Sequence, residues 1–265
     1  MREMIRVRDV SHRGPAASGL YEMYVQRLYD VCFEKGFGLF SIGSVGPCSS
    51  YPLFAVCAGG RSARRSVCFV AGIHGEEPAG PLSILRFLKE SRGSDFRSVS
   101  VLAFPVVNPY GFDIGRRENY LGLDLNRHFQ DDILVGENKA VYSRIRAEDI
   151  LFLHTLHEDA DADRFYLYGY RSCASLVYRK AIGVAGSFFP IDCREVIAGD
   201  RAFGGLVLND SPGGELESRM VEDGVPFVMA SETPGRASLE KRVDCGVSLM
   251  KQVMDFCGLA MEYSD

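Results

Sequence analysis

The stretch Val70–Gly80, VAGIHGEEPAG, sets His74 and Glu77 in a glycine-flanked turn directly after an apolar run. An imidazole and a carboxylate with so little bulk around them suit a metal ion. Zn²⁺ takes both donor types, and a catalytic zinc uses three protein ligands and keeps a position open for water. The glycines let the backbone fold tightly enough for both side chains to reach one ion. The third donor must come from elsewhere, and ILFLHTLHED offers His154 and His157. On a helix these two would share a face, whereas on a strand an odd separation puts them on opposite faces. The residues around Thr155 are apolar and read as strand, so only one histidine can face the metal. His157, at the strand's end, completes the expected set His74, Glu77 and His157. His154 is expected as a hydrogen-bonded interior histidine.

Glu232, in ASETPG, is a carboxylate outside that set. A water attacking a carbonyl carbon beside a zinc ion needs a base, and a glutamate can serve. The polar segment GRRENYLGLDLNRHF carries Arg116, Arg117, Asn126 and Arg127. Guanidinium forks bind carboxylates bidentately, so Asn126 and Arg127 would grip a substrate carboxylate. A second arginine, Arg116 or Arg117, would stabilise an oxyanion. Singly, each of these residues reads as an ordinary loop or surface group. Their joint placement carries the expectation.

That placement depends on the surrounding elements. Leu20, Tyr24, Leu28 and Val31 recur at helical spacing. GLFSIGSV and YPLFAVCAGG read as strands joined by a Gly/Pro/Ser turn. RSVCFVAG, SVSVLAF, ILFLHTLH and VPFVMAS read as further strands, with AGPLSILRFLKES a helix after the first of them. Near the C-terminus Leu239, Val243, Val247, Met250 and Met254 mark one face of an amphipathic helix. Strands alternating with helices predict an α/β fold with a mixed, mostly parallel sheet flanked by helices. One domain over 1–265 is expected, with 1–49 as an N-terminal helix and strand extension. Ligands in such sheets bind beyond the carboxyl ends of the strands. His74 with Glu77, Asn108, His157 with Glu158, and Glu232 all fall at such ends.

Composition narrows the function. The 265 residues carry a net charge of -5, which argues against nucleic-acid binding. No apolar run is long enough for a bilayer, so no membrane association is expected. The opening MREMIRVRDV lacks an apolar leader, and the eight cysteines form no C-x-x-C pair. Buried thiols in a reducing cytoplasm are expected rather than disulfides. EDADAD has calcium-loop spacing, but Arg164 and Tyr170 stand where an EF-hand needs Gly and Glu.

In their order, HGEE, GLDLNRHF, LHED and SETPG resemble the motifs of the zinc carboxypeptidase family, carboxypeptidase A-like, in its compact bacterial-type form. The aspartoacylase/succinylglutamate desuccinylase group shares part of the plan. The resemblance covers about residues 50–245. It implies zinc on His74, Glu77 and His157, and carboxylate recognition by Asn126 and Arg127. It also implies an oxyanion arginine at Arg117 or Arg116, and Glu232 as general base. The substrate would be a peptide or an N-acyl amino acid with a free carboxylate. The family's capping tyrosine has no counterpart in LNDSPGGELESRM. A catalytically silent, metal-stabilised binding module is the reading from another class, and a free Glu232 argues against it. Oligomeric state is not legible.

The sequence predicts about one zinc per chain. It should be lost in His74→Ala, Glu77→Ala and His157→Ala and kept in His154→Ala. Metal analysis of the purified variants checks this, and the reverse pattern for the two histidines of ILFLHTLHED would exchange their roles.

Overall fold

The helix predicted from Leu20, Tyr24, Leu28 and Val31 is present as α1 (Leu20–Lys35), ending where Gly36 turns left-handed at φ 69°. The structure, a computed structural model, describes residues 19–59, 63, 65–170, 175–208 and 213–262. Cys173 and the first eighteen residues of the N-terminal extension lie outside them. After α1, β1 (Gly38–Val45) and β2 (Tyr51–Ala58) form an antiparallel hairpin around the Gly/Pro/Ser turn. Then come β3 (Ser66–Ala71), α2 (Ala79–Glu90), β4 (Ser100–Phe104), α3 (Pro109–Ile114) and α4 (Gly136–Ile145). The middle of the chain gives β5 (Ile150–Asp159), β6 (Tyr166–Gly169) and α5 (Ser175–Ala185). Three short strands follow, β7 (Val196–Ile197), β8 (Asp200–Phe203) and β9 (Leu206–Leu208). The chain closes with α6 (Leu216–Glu222), β10 (Phe227–Pro234) and α7 (Leu239–Glu262).

The strands form one mixed sheet in the order β1-β2-β4-β3-β5-β10-β6-β9-β8-β7, within a single α/β domain. Its parallel part is the centre, where β4, β3, β5 and β10 run together. Towards both edges antiparallel pairs take over. Among the described residues they number five against four parallel pairs, so the sheet is mixed rather than mostly parallel. Sequence periodicity reports burial, not strand direction, and the hairpins at the flanks needed no crossover helix.

β3 is buried at every residue, as expected for a central strand covered on both faces. Val67, Phe69 and Ala71 face α1, α2 and α7, while Cys68 and Val70 face α4 and α6. The same alternation runs along β5: Phe152 and Leu156 belong to the first face and Leu153 to the second. His154 therefore lies on the α2/α7 face, 6.1 Å from the Phe69 ring. His157 shares its side with Leu153 and Thr155. On α7, Val243, Val247, Met250 and Met254 are buried as the periodicity predicts, but Leu239 at the helix start is exposed. No helix among the described residues is long and apolar enough to cross a membrane.

The glycine-flanked turn after β3 has a packing explanation. A Cβ on Gly75 would stand 2.0 Å from the Gly111 carbonyl carbon and 2.2 Å from the Phe112 nitrogen. Both are backbone atoms of α3, which cannot swing aside as a side chain would. Gly75→Ala should therefore push the turn off α3 and cost on the order of 1–3 kcal/mol by overpacking. A lowered thermal midpoint together with reduced metal content is the expected result. An unchanged midpoint and metal content would show slack in the turn.

Candidate active site

His74 and Glu77 leave the end of β3, and His157 stands near the end of β5, the strand paired beside it with Ala71 opposite Leu156. All three side chains are buried. Glu77 sits between the imidazoles: its Oε1 is 2.6 Å from His74 Nδ1 and its Oε2 2.9 Å from His157 Nδ1. One ligand atom from each residue lies within 4.8 Å of the others, a spacing that could hold one metal ion. Two imidazole nitrogens and a carboxylate oxygen, shielded from water, are a donor set that fits zinc. His154 is turned away and meets Ser231 Oγ through Nε2 at 2.8 Å.

Asp124, which the sequence reading left unassigned, ties this cluster to its neighbours. Its Oδ1 lies 3.1 Å from His74 Nε2 and accepts the Asn126 backbone N–H at 3.0 Å. Its Oδ2 accepts from Arg117 Nε and Nη2 at 3.1 and 2.9 Å. Arg117 is thereby aimed inward, with Nη1 3.7 Å from Glu77 Oε1. Arg116 points out of the cleft and pairs with Glu118. The structure thus brings Arg117, and not Arg116, to the site. Asn108, expected at the same rim, instead caps α3 by accepting from Gly111 N at 2.9 Å. Its amide donates to the Arg117 carbonyl at 3.0 Å and so anchors that segment from behind.

The cleft has a volume of about 450 Å³. Glu232 lines it from β10, in register with His157 across the parallel pair. Asn126 and Arg127 line it too, from the 3-10 turn Leu125–Arg127. The Arg127 guanidinium is largely exposed, 3.9 Å from Glu215 Oε1. Both ends of the Asn126 carboxamide meet α6: Oδ1 accepts from Leu216 N at 3.1 Å, and Nδ2 donates to Glu217 Oε2 at 3.5 Å. Tyr166, Tyr168 and Tyr170 form part of the wall, with Asp159 and Asp161 also lining it. Glu158 is committed elsewhere, accepting from Ala79 N and pairing with Arg242. In the segment LNDSPGGELESRM, residues 209–212 lie outside the described residues.

Charge in this buried space is coupled. Burial alone would lower the His74 and His157 pKa values, but the Glu77 charge beside both raises them above the ordinary histidine range. Asp124 adds to the effect at His74, and Glu217 and Glu232 add to it at His157. Burial would raise the Glu77 carboxyl, yet the His157 and His74 charges hold it down at about 2. Glu232 goes the other way, pushed up to about 8, chiefly by burial. His154 falls to about 3 because burial disfavours its cation.

A family model described as succinylglutamate desuccinylase/aspartoacylase catalytic domain matches residues 63–165. That span holds the H-x-x-E turn, the Arg/Asn segment and His157, but neither α6 nor Glu232. No curated protein matches the sequence. Among solved structures, a protein of Shewanella amazonensis described as a candidate metallopeptidase superposes with a TM-score of 0.83 at 25% identity, over 92% of this chain and 97% of that one. A metallo-carboxypeptidase of Burkholderia cenocepacia gives 0.72 at 14% identity, over 88% of this chain and 68% of its own. A metallo-carboxypeptidase of Pseudomonas aeruginosa, in complex with (2-guanidinoethylmercapto)succinic acid, gives 0.71 at 12% identity, over 89% and 68%. The fold is carboxypeptidase-like. Over residues 63–165 the chain is similar to the succinylglutamate desuccinylase/aspartoacylase catalytic domain, and in fold it is similar to the metallo-carboxypeptidases.

Raised histidine pKa values mean that the metal-free imidazoles hold their protons to higher pH than an ordinary histidine, and a metal must displace them. Zinc affinity should climb as pH rises through those values, roughly tenfold per pH unit for each proton displaced, then level off. Calorimetry of zinc uptake by the metal-free protein, in buffers of different protonation enthalpy, counts the protons. Uptake without proton release would show the imidazoles neutral beforehand.

Proposed function

We propose that the protein is a zinc-dependent hydrolase of the metallocarboxypeptidase kind, cleaving an amide bond next to a free carboxylate. The observation that carries this reading is the convergence of His74, Glu77 and His157 on one buried point of a cleft that Glu232, Arg117 and Arg127 also line. Zinc, when bound by these three residues, supplies a Lewis acid that polarises the scissile carbonyl and acidifies water.

The chain's own groups do the rest. Glu232 takes the proton of the attacking water and returns it to the leaving amine. Its carboxylate lines the cleft from β10, in register with His157, within reach of a water held beside that histidine. Arg117, held by Asp124 at the edge of the cluster, stabilises the oxyanion. Arg127 and Asn126 hold the substrate carboxylate. A succinic-acid ligand in the Pseudomonas aeruginosa neighbour is consistent with carboxylate recognition at such a cleft.

One observation favours a second reading. The family model over residues 63–165 describes enzymes named for N-acyl amino-acid substrates, which would be small molecules rather than peptides. The same metal set would serve. Among the described cysteines Cys32, Cys68, Cys245 and Cys257 are buried free thiols as expected, whereas Cys48 and Cys193 are exposed and Cys57 is half-buried.

Zinc-loaded protein assayed on peptides with free C-termini and on N-acyl amino acids, with and without chelator, separates the two. Turnover of peptides that is abolished by chelator and by C-terminal amidation is expected. Glu232→Gln should lower kcat on the order of 10²–10⁴-fold while keeping its zinc. Full activity in that variant would place the base elsewhere, and loss of zinc would make Glu232 a ligand.

A further inference from the structure

Glu217 is fully buried in the first turn of α6, against the Leu216, Met220 and Leu153 side of the core. A carboxylate removed from water persists only where donors surround it. Three groups face this one. The Thr155 hydroxyl donates to Oε1, and Asn126 Nδ2 donates to Oε2 at 3.5 Å. The third is His157, whose Nε2 stands 3.6 Å from Oε1.

That third contact is the informative one. His157 turns Nδ1 towards Glu77 and the cluster, so Nε2 is the back edge of the ring. The back-edge nitrogen is buried and has no hydrogen-bond partner within normal length among the described residues. Glu217 is the carboxylate that faces it. His74 is built the same way: Nδ1 meets Glu77, and Nε2 at the back meets Asp124 at 3.1 Å. Each imidazole therefore shows one nitrogen to the cluster and the other to a carboxylate. A carboxylate behind a metal-binding histidine holds the proton on the far nitrogen and leaves the near one free to donate its electron pair.

We propose that Glu217 is a positioning residue for His157, fixing it as the Nε2–H tautomer with Nδ1 turned to the metal, and that through Asn126 it joins the metal ligand to the substrate clamp. This rests on the reading of His157 as a ligand. The link to the clamp is direct: one oxygen of Glu217 faces His157 and the other holds Asn126, whose carbonyl end is held by Leu216 N. A displacement of α6 would disturb the ligand and the clamp together. A purely structural role, filling a polar hole between Thr155 and Asn126, would make no demand on the histidine tautomer.

Zinc titration against a chromophoric chelator, with wild type, Glu217→Gln and His157→Ala, tests the proposal. Glu217→Gln keeps the side-chain volume but removes the charge, and its zinc affinity should fall about 10–100-fold. The visible spectrum of its Co²⁺-substituted form should shift from that of wild type. Wild-type affinity and spectrum in Glu217→Gln, with zinc lost in His157→Ala, would overturn the proposal and leave the ligand reading standing. Zinc retained in His157→Ala would overturn the ligand reading itself. Should Glu217→Gln fail to fold, ¹⁵N-histidine NMR of the wild-type zinc protein decides. A slowly exchanging Nε2–H on His157 is expected, and the Nδ1–H tautomer would sink the idea.

Discussion

The site depends first on the register of three neighbouring parallel strands. β3 and β10 both pair with β5, with Ala71 opposite Leu156 and Glu232 opposite His157. This alignment delivers the turn of His74 and Glu77, the imidazole of His157 and the carboxylate of Glu232 to one end of the sheet. Side chains alternate along a strand, so a one-residue slip of β5 would turn His157 to the α2/α7 face and expose a different residue to the cleft. The apolar residues of β5, packed on both faces, forbid that slip.

Gathering these groups concentrates charge out of water. Glu77 and Glu217 are both buried, and an unpaired carboxylate in such surroundings would be costly. The arrangement answers with alternation: Asp124, His74, Glu77, His157 and Glu217 run in sequence, each carboxylate beside an imidazole. In the metal-free chain the protons on the two histidines supply the positive charge. A bound cation would take over that role once the imidazoles give up the protons that face it.

The loops are held to the same standard as the strands. Gly75 has no Cβ because α3 occupies its place, and its N–H reaches the Arg117 carbonyl at 3.4 Å. Asn108 reaches the same carbonyl from the other side. The metal turn and the arginine segment are therefore fastened to one another before any side chain enters the cleft. The small residues of HGEEPAG serve close backbone approach as much as they serve reach towards an ion.

Much of this was legible in the residues. Apolar runs marked β3 and β5 as strands, and helical spacing marked α1 and α7. The odd separation of His154 and His157 already placed them on opposite faces, because strand geometry is a local property. What the sequence could not decide were matters of distance between segments far apart in the chain. Arg116 and Arg117 are chemically identical, and only the position of Asp124 turns Arg117 inward. Asn108 looked like a rim residue and became a helix cap, because Gly111 and the Arg117 carbonyl lie beside it. Glu217 lies between Leu216 and Ser218 in GGELESRM, on a helix too short to show periodicity, and its burial follows from how α6 packs on β5. Local chemistry set the residue types and their strands. Tertiary packing chose which of the nearly equivalent polar groups would face one another, since a hydrogen bond or ion pair depends on ångström distances that spacing along the chain does not contain.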